Sequence, residues 1–160
     1  LADYKQVLAA DKEYSSAYYN IGVAYENLED LSAAVDNYTK FITLVTDDPD
    51  GYFKRGNVKI ELEDYNSAIQ DYNMVIKLDP KYTDAYNNRG VAKRSLLDYK
   101  GAIADYDEAI KLEANDGSTY NNRGYAKHLA GDAVGACADF KKSAALGDED
   151  GKANLAELCK

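Results

Sequence analysis

Histidine and cysteine, two residue types that often carry out catalysis or bind metal ions, are scarce in this sequence. The chain has one histidine, His128, and two cysteines, Cys137 and Cys159. A zinc site of the usual cysteine–histidine spacing or a histidine-dependent triad would have almost no ligands or bases to use. The glycines are isolated from one another and form no glycine-rich phosphate loop. The sequence therefore predicts no catalytic, metal or cofactor site.

The net charge of the chain argues against several classes of partner. Its 160 residues include 28 Asp and Glu against 19 Lys and Arg, so the formal net charge is −9. This charge repels nucleic acid and anionic membrane surfaces at long range. Apolar runs are only a few residues long, so no membrane insertion is expected. No signal peptide is visible, which favours the cytoplasm but does not determine the compartment.

The elements that must position any site come from an internal repeat of 34 residues. A glycine column consists of Gly22, Gly56, Gly90 and Gly124. An aromatic column consists of Tyr38, Tyr72, Tyr106 and Phe140. Columns that keep their register without insertion indicate one structural unit that is copied along the chain.

Each copy has the pattern of two helices. In the third copy, apolar residues between Tyr99 and Leu112 follow the helical period, and Asp98 is placed to cap that helix. A glycine inside the first helix costs about 1 kcal/mol relative to alanine. We therefore expect a close helix crossing that requires the missing Cβ, with Gly22 facing Ala34 and the same pairing in later copies.

This pattern resembles the tetratricopeptide repeat, which has aromatic, glycine and alanine residues at fixed positions of a 34-residue unit. When each copy is numbered from 1 to 34, the copies begin at Ser15, Pro49, Thr83 and Gly117. Tyrosine at position 4, glycine at position 8 and alanine at position 20 fit the family, although its usual residue at position 4 is tryptophan. The resemblance implies an all-α fold, a right-handed α–α superhelix of helix-turn-helix repeats.

The sequence departs from the family at position 7, where the last three copies have arginine. Each arginine is accompanied by an aspartate at position 23, and the pairs are Arg55 with Asp71, Arg89 with Asp105, and Arg123 with Asp139. In the first copy both positions change, to Ile21 and Asn37. We expect an ion pair between the two helices of each later copy, because a buried arginine without a partner is costly.

The repeat also predicts how the chain is divided. We expect repeats at 15–48, 49–82, 83–116 and 117–148, with a capping helix at 149–160. Residues 1–14 match the second helix of a truncated upstream repeat. This start predicts a longer parent protein and an apolar N-terminal face that is open to self-association. In the capping helix, the expected apolar face consists of Ala153, Leu155, Ala156 and Leu158.

Both cysteines receive structural interpretations. Cys137 lies at position 21, where the other copies have Val35, Ile69 and Ile103. We expect a buried, inert thiol there. Cys159 lies near the chain end and is interpreted as a packing residue rather than a redox partner.

The resemblance implies a binding surface, because the first helices of tetratricopeptide arrays line a concave groove that holds an extended peptide or a helix. The candidate groove residues are Tyr19, Asn20, Phe53, Lys54, Asn57, Asn87, Asn88, Arg94, Asn121, Asn122, Tyr125 and His128. The aromatic members would anchor apolar side chains of a partner. For His128, the simplest interpretation is an exposed or groove-lining polar residue.

Asparagine recurs at position 6, as Asn20, Asn88 and Asn122. One amide offers a donor and an acceptor together and can therefore pair with a peptide backbone. The arrangement is similar to the asparagine ladder in the tetratricopeptide region of O-GlcNAc transferases. The alternative is that asparagine is common at this position whatever the repeat binds.

Another binding mode of the family is not expected here. Its clamp for the acidic tails of heat-shock chaperones uses asparagine and basic residues together. Asn57 and Asn88 match the asparagine positions, but the basic positions hold Phe53, Ser118 and Asn122. The charges that would hold an acidic tail are therefore missing.

The sequence thus predicts a non-catalytic scaffold, not an enzyme, that binds a peptide or protein segment in the groove. Two alternatives stay open: a substrate-recruiting arm of a larger enzyme, and a self-assembling module. No cofactor and no nucleic-acid partner are expected. The identity of the partner and the oligomeric state do not follow from the sequence.

Overall fold

The computed structural model describes residues 14–160. Every regular element in this range is an α-helix, which confirms the predicted all-α class. The expected upstream half-repeat lies outside the described residues except for Tyr14. The helices form two compact units, one ending at Pro80 and the other beginning at Lys81.

The first unit contains two helix pairs. Its helices are α1 (Ser15–Glu26), α2 (Leu31–Leu44), α3 (Pro49–Glu61) and α4 (Tyr65–Leu78). The two helices of each pair pack against each other, and α2 also packs against α3. The pairs therefore stack, as repeats that bury their apolar faces against neighbours must do.

The second unit contains two helix pairs and a last single helix. Its helices are α5 (Thr83–Ser95), α6 (Tyr99–Leu112), α7 (Gly117–Leu129), α8 (Ala133–Ala145) and α9 (Glu149–Leu158). Helix α9 packs against both α7 and α8. It therefore covers the end of the last helix pair.

Aspartates cap the second helix of every copy. The capping residues are Asp30, Asp64, Asp98 and Asp132. Each side chain accepts a hydrogen bond from the backbone N–H three residues later, which satisfies a donor that the first helical turn leaves unpaired. The predicted cap is confirmed at Asp98, where Oδ1 accepts from the Gly101 N–H at 2.9 Å.

The column glycines permit a close approach, but the nearest neighbour of each is an aromatic ring rather than the predicted alanine; only at Gly124 is that alanine also close, through the Ala136 carbonyl oxygen. A Cβ on Gly22 would lie 2.8 Å from the Tyr38 ring, and one on Gly90 would lie 2.7 Å from the Tyr106 ring. Ala34 is not among the nearest neighbours of Gly22. The aromatic ring at position 24 reaches across to the first helix and occupies the space of the missing Cβ, which the short alanine side chain cannot do.

The predicted ion pairs are confirmed in all three copies. The Nη2–Oδ1 distance is 2.6 Å in Arg55–Asp71, Arg89–Asp105 and Arg123–Asp139. Each carboxylate also pairs with a lysine that the sequence analysis did not identify. These lysines are Lys59, Lys93 and Lys127. All three aspartates are buried, so each of the last three copies holds one carboxylate between two cations.

The interpretations of both cysteines are wrong, because Cys137 and Cys159 form a disulfide. Cys137 lies on α8, and Cys159 directly follows α9. The packing of α9 against α8 brings the two Cα atoms to 5.6 Å, within the range that a disulfide spans. The position of Cys137 within its 34-residue copy indicates its packing in that copy. It does not indicate the contact with Cys159, which lies beyond the copy.

The expected apolar face of the last helix is only partly right. Leu155 and Leu158 are half-buried, but Ala153 and Ala156 are exposed. Gly151 is the buried residue, and it lies against Ser143 of α8. The helix is turned so that its glycine, rather than its alanines, faces the neighbouring helix.

Candidate functional site

In the second unit, four predicted asparagines lie on the first helices of two copies. Asn87 and Asn88 lie on α5, and Asn121 and Asn122 lie on α7; all four are half-buried. Asn122 Nδ2 donates a hydrogen bond to Asn87 Oδ1 at 3.2 Å. These four residues are called the asparagine face below. The bond between Asn122 and Asn87 joins α7 to α5.

A residue that the sequence analysis missed extends this arrangement onto α9. Asn154 Nδ2 donates a hydrogen bond to Asn121 Oδ1 at 2.8 Å. The 34-residue numbering hides Asn154, because α9 begins 32 residues after α7. The capping aspartates Asp116 and Asp148 precede these two helices, and their spacing is the signal that could have found it.

An open cavity of about 310 Å³ lies beside these amides. It is lined by Arg94, Asn121, Asn122, Tyr125, Asp150, Ala153 and Asn154. Its volume is at the lower end of the range for ligand sites. Of its lining residues, four were predicted as groove residues and three come from α9. The cavity offers amides, one aromatic ring and one charge of each sign.

Tyr125 is the aromatic residue of this cavity, and two neighbours hold its ring. The Arg94 guanidinium lies 5.2 Å from the ring centroid, a cation–π distance. The His128 ring stacks with Tyr125 at a centroid separation of 6.4 Å. Tyr125 is nevertheless 37% exposed. It therefore presents a fixed aromatic surface to solvent.

Asp116, which caps α7, is an ionised group at the start of the helix that carries Asn121 and Asn122. Burial opposes its charge, but hydrogen bonds from Thr119 and Ser118 outweigh burial and hold the pKa of Asp116 below its ordinary value. Thr119 Oγ1 also lies 3.4 Å from Asn87 Oδ1. The cap thus connects to the asparagine face through Thr119.

The first unit has a separate cavity at its own first helices. Tyr19 and Asn20 line it together with Ser16, Phe41, Asp48 and Asp50. The Tyr19 ring packs edge-on against Phe41, with centroids 5.2 Å apart. Burial first, and then the charges of Asp50, Asp48 and Glu26, raise the pKa of Tyr19. The negative potential here disfavours an acidic ligand.

The remaining candidates, on α3, participate in contacts within the first unit. The Phe53 ring lies 6.0 Å from the Tyr72 ring. Asn57 Oδ1 accepts a hydrogen bond from the Tyr72 hydroxyl at 2.8 Å. Lys54 Nζ lies 3.9 Å from Glu26 Oε1. Neither cavity is lined by these three residues.

Metal-binding clusters and membrane-spanning helices are both absent from the described part of the chain. Between residues 14 and 160 no group of three or more His, Cys, Asp or Glu is arranged to hold a metal ion. No helix in the same range is long and apolar enough to cross a membrane.

Family models of the tetratricopeptide repeat match three segments of the sequence. The matched residues are 15–44, 56–96 and 83–116. Together they cover more than half of the chain. The sequence has no significant match among curated proteins.

Several solved structures are similar to this chain. A crystal structure of MamA is 26% identical, with a TM-score of 0.87 over 93% of this chain and 87% of that chain. The Arabidopsis OM64 TPR domain is 29% identical, with a TM-score of 0.69 over 72% of this chain and 96% of that one. The first TPR of Spaghetti (RPAP3), bound to the HSP90 peptide SRMEEVD, is 25% identical, with a TM-score of 0.72 over 76% and 96%.

Proposed function

This chain belongs to the tetratricopeptide repeat family, and on that basis we propose that it is a non-catalytic scaffold that binds an extended peptide segment of a partner protein. The binding surface is the asparagine face of the second unit together with its cavity. Protein interaction is the general role that the fold supports, since one similar structure is bound to a peptide.

The observation that carries the proposal is the hydrogen bond from Asn122 to Asn87 beside the cavity. A side-chain amide has two N–H donors and an oxygen with two lone pairs. Asn122 uses one N–H in this bond, so its second N–H and its oxygen can serve a ligand. A peptide unit presents one C=O and one N–H, which is the complementary pair.

The contacts of these side chains reduce the cost of binding. A long polar side chain loses about 0.5–1.5 kcal/mol of rotamer freedom when a ligand immobilises it. Asn122 is already restrained by Asn87, and Tyr125 by Arg94 and His128. The exposed ring of Tyr125 would then anchor one apolar side chain of the peptide.

The charges of the chain favour recognition of the peptide backbone over recognition of an acidic tail. The HSP90 peptide in the similar structure, SRMEEVD, has more acidic than basic side chains. This chain has a net charge of −9, and the lining of its cavity includes one cation, Arg94, and one anion, Asp150. An acidic peptide would be repelled at long range, whereas a neutral main chain would not.

The experiment that tests this function begins by selecting, from a library of random linear peptides, one that binds the full chain. The selected peptide is then resynthesised with single N-methyl groups along its backbone, and in parallel with single alanine substitutions. We expect N-methylation at the central positions to weaken binding about tenfold or more. Most alanine substitutions should have smaller effects. Affinity that depends on side chains alone, or failure to select any peptide, would overturn the proposal.

A further inference from the structure

We infer that the last helix, α9, is part of the peptide site, with Asn154 as a backbone-contacting residue beyond Asn88 and Asn122. The inference rests on the proposed function and extends it to a helix whose predicted role was only to cap the array. The ligand class is the main chain of an extended peptide.

Asn154 has the same place in its helix as Asn122. Each is the sixth residue, counted from the start of α9 and α7 respectively. The third residue of each helix, Gly151 and Thr119, is buried. The angle between residues three and six around a helix axis is fixed. Since residue three faces inward in both helices, residue six points in the corresponding direction in both. Asn154 therefore continues the column that contains Asn122.

The hydrogen bonds repeat in the same way. Asn122 donates from residue six of α7 to Asn87, residue five of α5. Asn154 donates from residue six of α9 to Asn121, residue five of α7. One N–H of each donor is used, and the other N–H and the oxygen stay available for a peptide unit. Two equivalent amides therefore lie on successive first helices.

Helix α9 is fixed at both ends, so Asn154 is held in place between them. At its start, Asp148 accepts hydrogen bonds from the Gly151 N–H at 2.7 Å and from the Ser143 hydroxyl of α8 at 2.9 Å. At its end, Cys159 is joined to Cys137 of α8. A binding residue on an element restrained in this way needs little further ordering when a ligand arrives.

The residues around Asn154 give the cavity access to its amide. Asp150, Ala153 and Asn154 all line the cavity. Residue five of α9 is Ala153, where α7 has Asn121, so α9 lacks the amide acceptor that α5 and α7 have at this position. The methyl group of Ala153 leaves the amide of Asn154 accessible from the cavity.

The test uses the selected peptide and isothermal titration calorimetry on the full chain with its disulfide intact. Four proteins are compared: wild type, Asn154→Ala, Asn122→Ala, and Glu157→Ala as a control on an exposed position of α9. We expect both asparagine variants to bind about tenfold more weakly. The control should bind like the wild type.

A second measurement separates direct contact from a structural role, because Asn154→Ala also removes the bond to Asn121. Each N-methylated peptide is titrated against Asn154→Ala as a double-mutant cycle. If Asn154 contacts the backbone, one N-methyl group that weakens binding to the wild type has little further effect on Asn154→Ala. If Asn154 has only a structural role, the affinity losses from Asn154→Ala and from each N-methyl group should multiply at every peptide position.

The outcomes distinguish this inference from the proposed function. If Asn122→Ala weakens binding and Asn154→Ala binds like the Glu157→Ala control, the inference is overturned and the proposed function stands. Multiplicative losses at every peptide position also overturn it. If neither asparagine variant weakens binding, the proposed site fails as a whole.

Discussion

The guanidinium of Arg89 and the carboxylate of Asp105 join α5 to α6 through two parallel hydrogen bonds. Nε donates to Oδ2 at 2.9 Å, and Nη2 donates to Oδ1 at 2.6 Å. Lys93 Nζ lies 2.8 Å from the same carboxylate, and Asp105 is only 4% exposed. This bidentate geometry is the strong form of an ion pair, so the carboxylate organises the interior of its copy.

Replacing that carboxylate should destabilise the protein substantially. We expect Asp105→Ala to lower the free energy of unfolding by about 3 kcal/mol, because it leaves two half-buried cations without the buried carboxylate that they share. Urea denaturation measures the change. Glu108→Ala on the same helix removes only an exposed pair with Lys111 and should cost less than about 0.5 kcal/mol. An Asp105→Ala denaturation curve that matches the wild type would contradict this account of the pair.

Two equivalent buried tyrosines should respond in opposite ways to loss of their hydroxyl groups. The Tyr72 hydroxyl donates to Asn57, whereas the Tyr106 hydroxyl has no hydrogen-bond partner among the described residues. The fourth copy already has Phe140 at this position, fully buried. We expect Tyr72→Phe to cost about 1 kcal/mol of unfolding free energy and Tyr106→Phe to cost nothing or to stabilise. The reverse order in thermal denaturation would show that these contacts are misassigned.

Loss of the disulfide should destabilise the end of the second unit. The bond joins residues separated by 22 positions, and closing a loop of this size is worth about 3 kcal/mol in the chain-entropy model. We expect Cys137→Ser/Cys159→Ser to lose about this much stability, and reduced wild type to match it. Adding reductant to the double variant is the control and should change nothing. Wild-type melting that is insensitive to reductant would count against the bond.

The cap at Asp116 should make stability depend on pH in a defined direction. Its pKa lies below the ordinary value of 3.8, so the unfolded chain binds the proton first as the pH falls. The stabilisation is therefore complete above that value and is lost as the pH falls through the pKa of the folded state. We expect Asp116→Ala to cost about 1 kcal/mol at neutral pH. The difference in unfolding free energy between Asp116→Ala and the wild type should narrow as the pH falls below 3.8; an unchanged difference would refute this.

Most of the fold could be predicted because each repeat contains its own evidence. The 34-residue columns predicted the helix pairs, the cap at Asp98 and the pairing of Arg89 with Asp105. The contact of Gly90 with Tyr106 was harder to predict, because periodicity tells which residues are inside but not which ring crosses to which helix. The pairing of the lysine at position 11, such as Lys93 with Asp105, could not be predicted in this way, because periodicity does not indicate which group the end of a long side chain reaches.

The site was less predictable where it depends on a break in the repeat. Four of the predicted groove residues do line one cavity, namely Arg94, Asn121, Asn122 and Tyr125. Asn154 was missed because the step to the last helix is two residues shorter than the others. The disulfide was missed for a related reason, since it forms only after α9 has packed against α8.

The most direct test of the central claim is the dissociation constant of a selected peptide for the wild type and for Asn88→Ala/Asn122→Ala. The thermal stabilities of the wild type and of the double variant are compared first, so that a loss of binding cannot be attributed to a loss of structure. If the asparagine face holds the peptide backbone, the double variant should bind at least about tenfold more weakly, a loss of about 1.4 kcal/mol. Equal affinity in two equally folded proteins would contradict the claim.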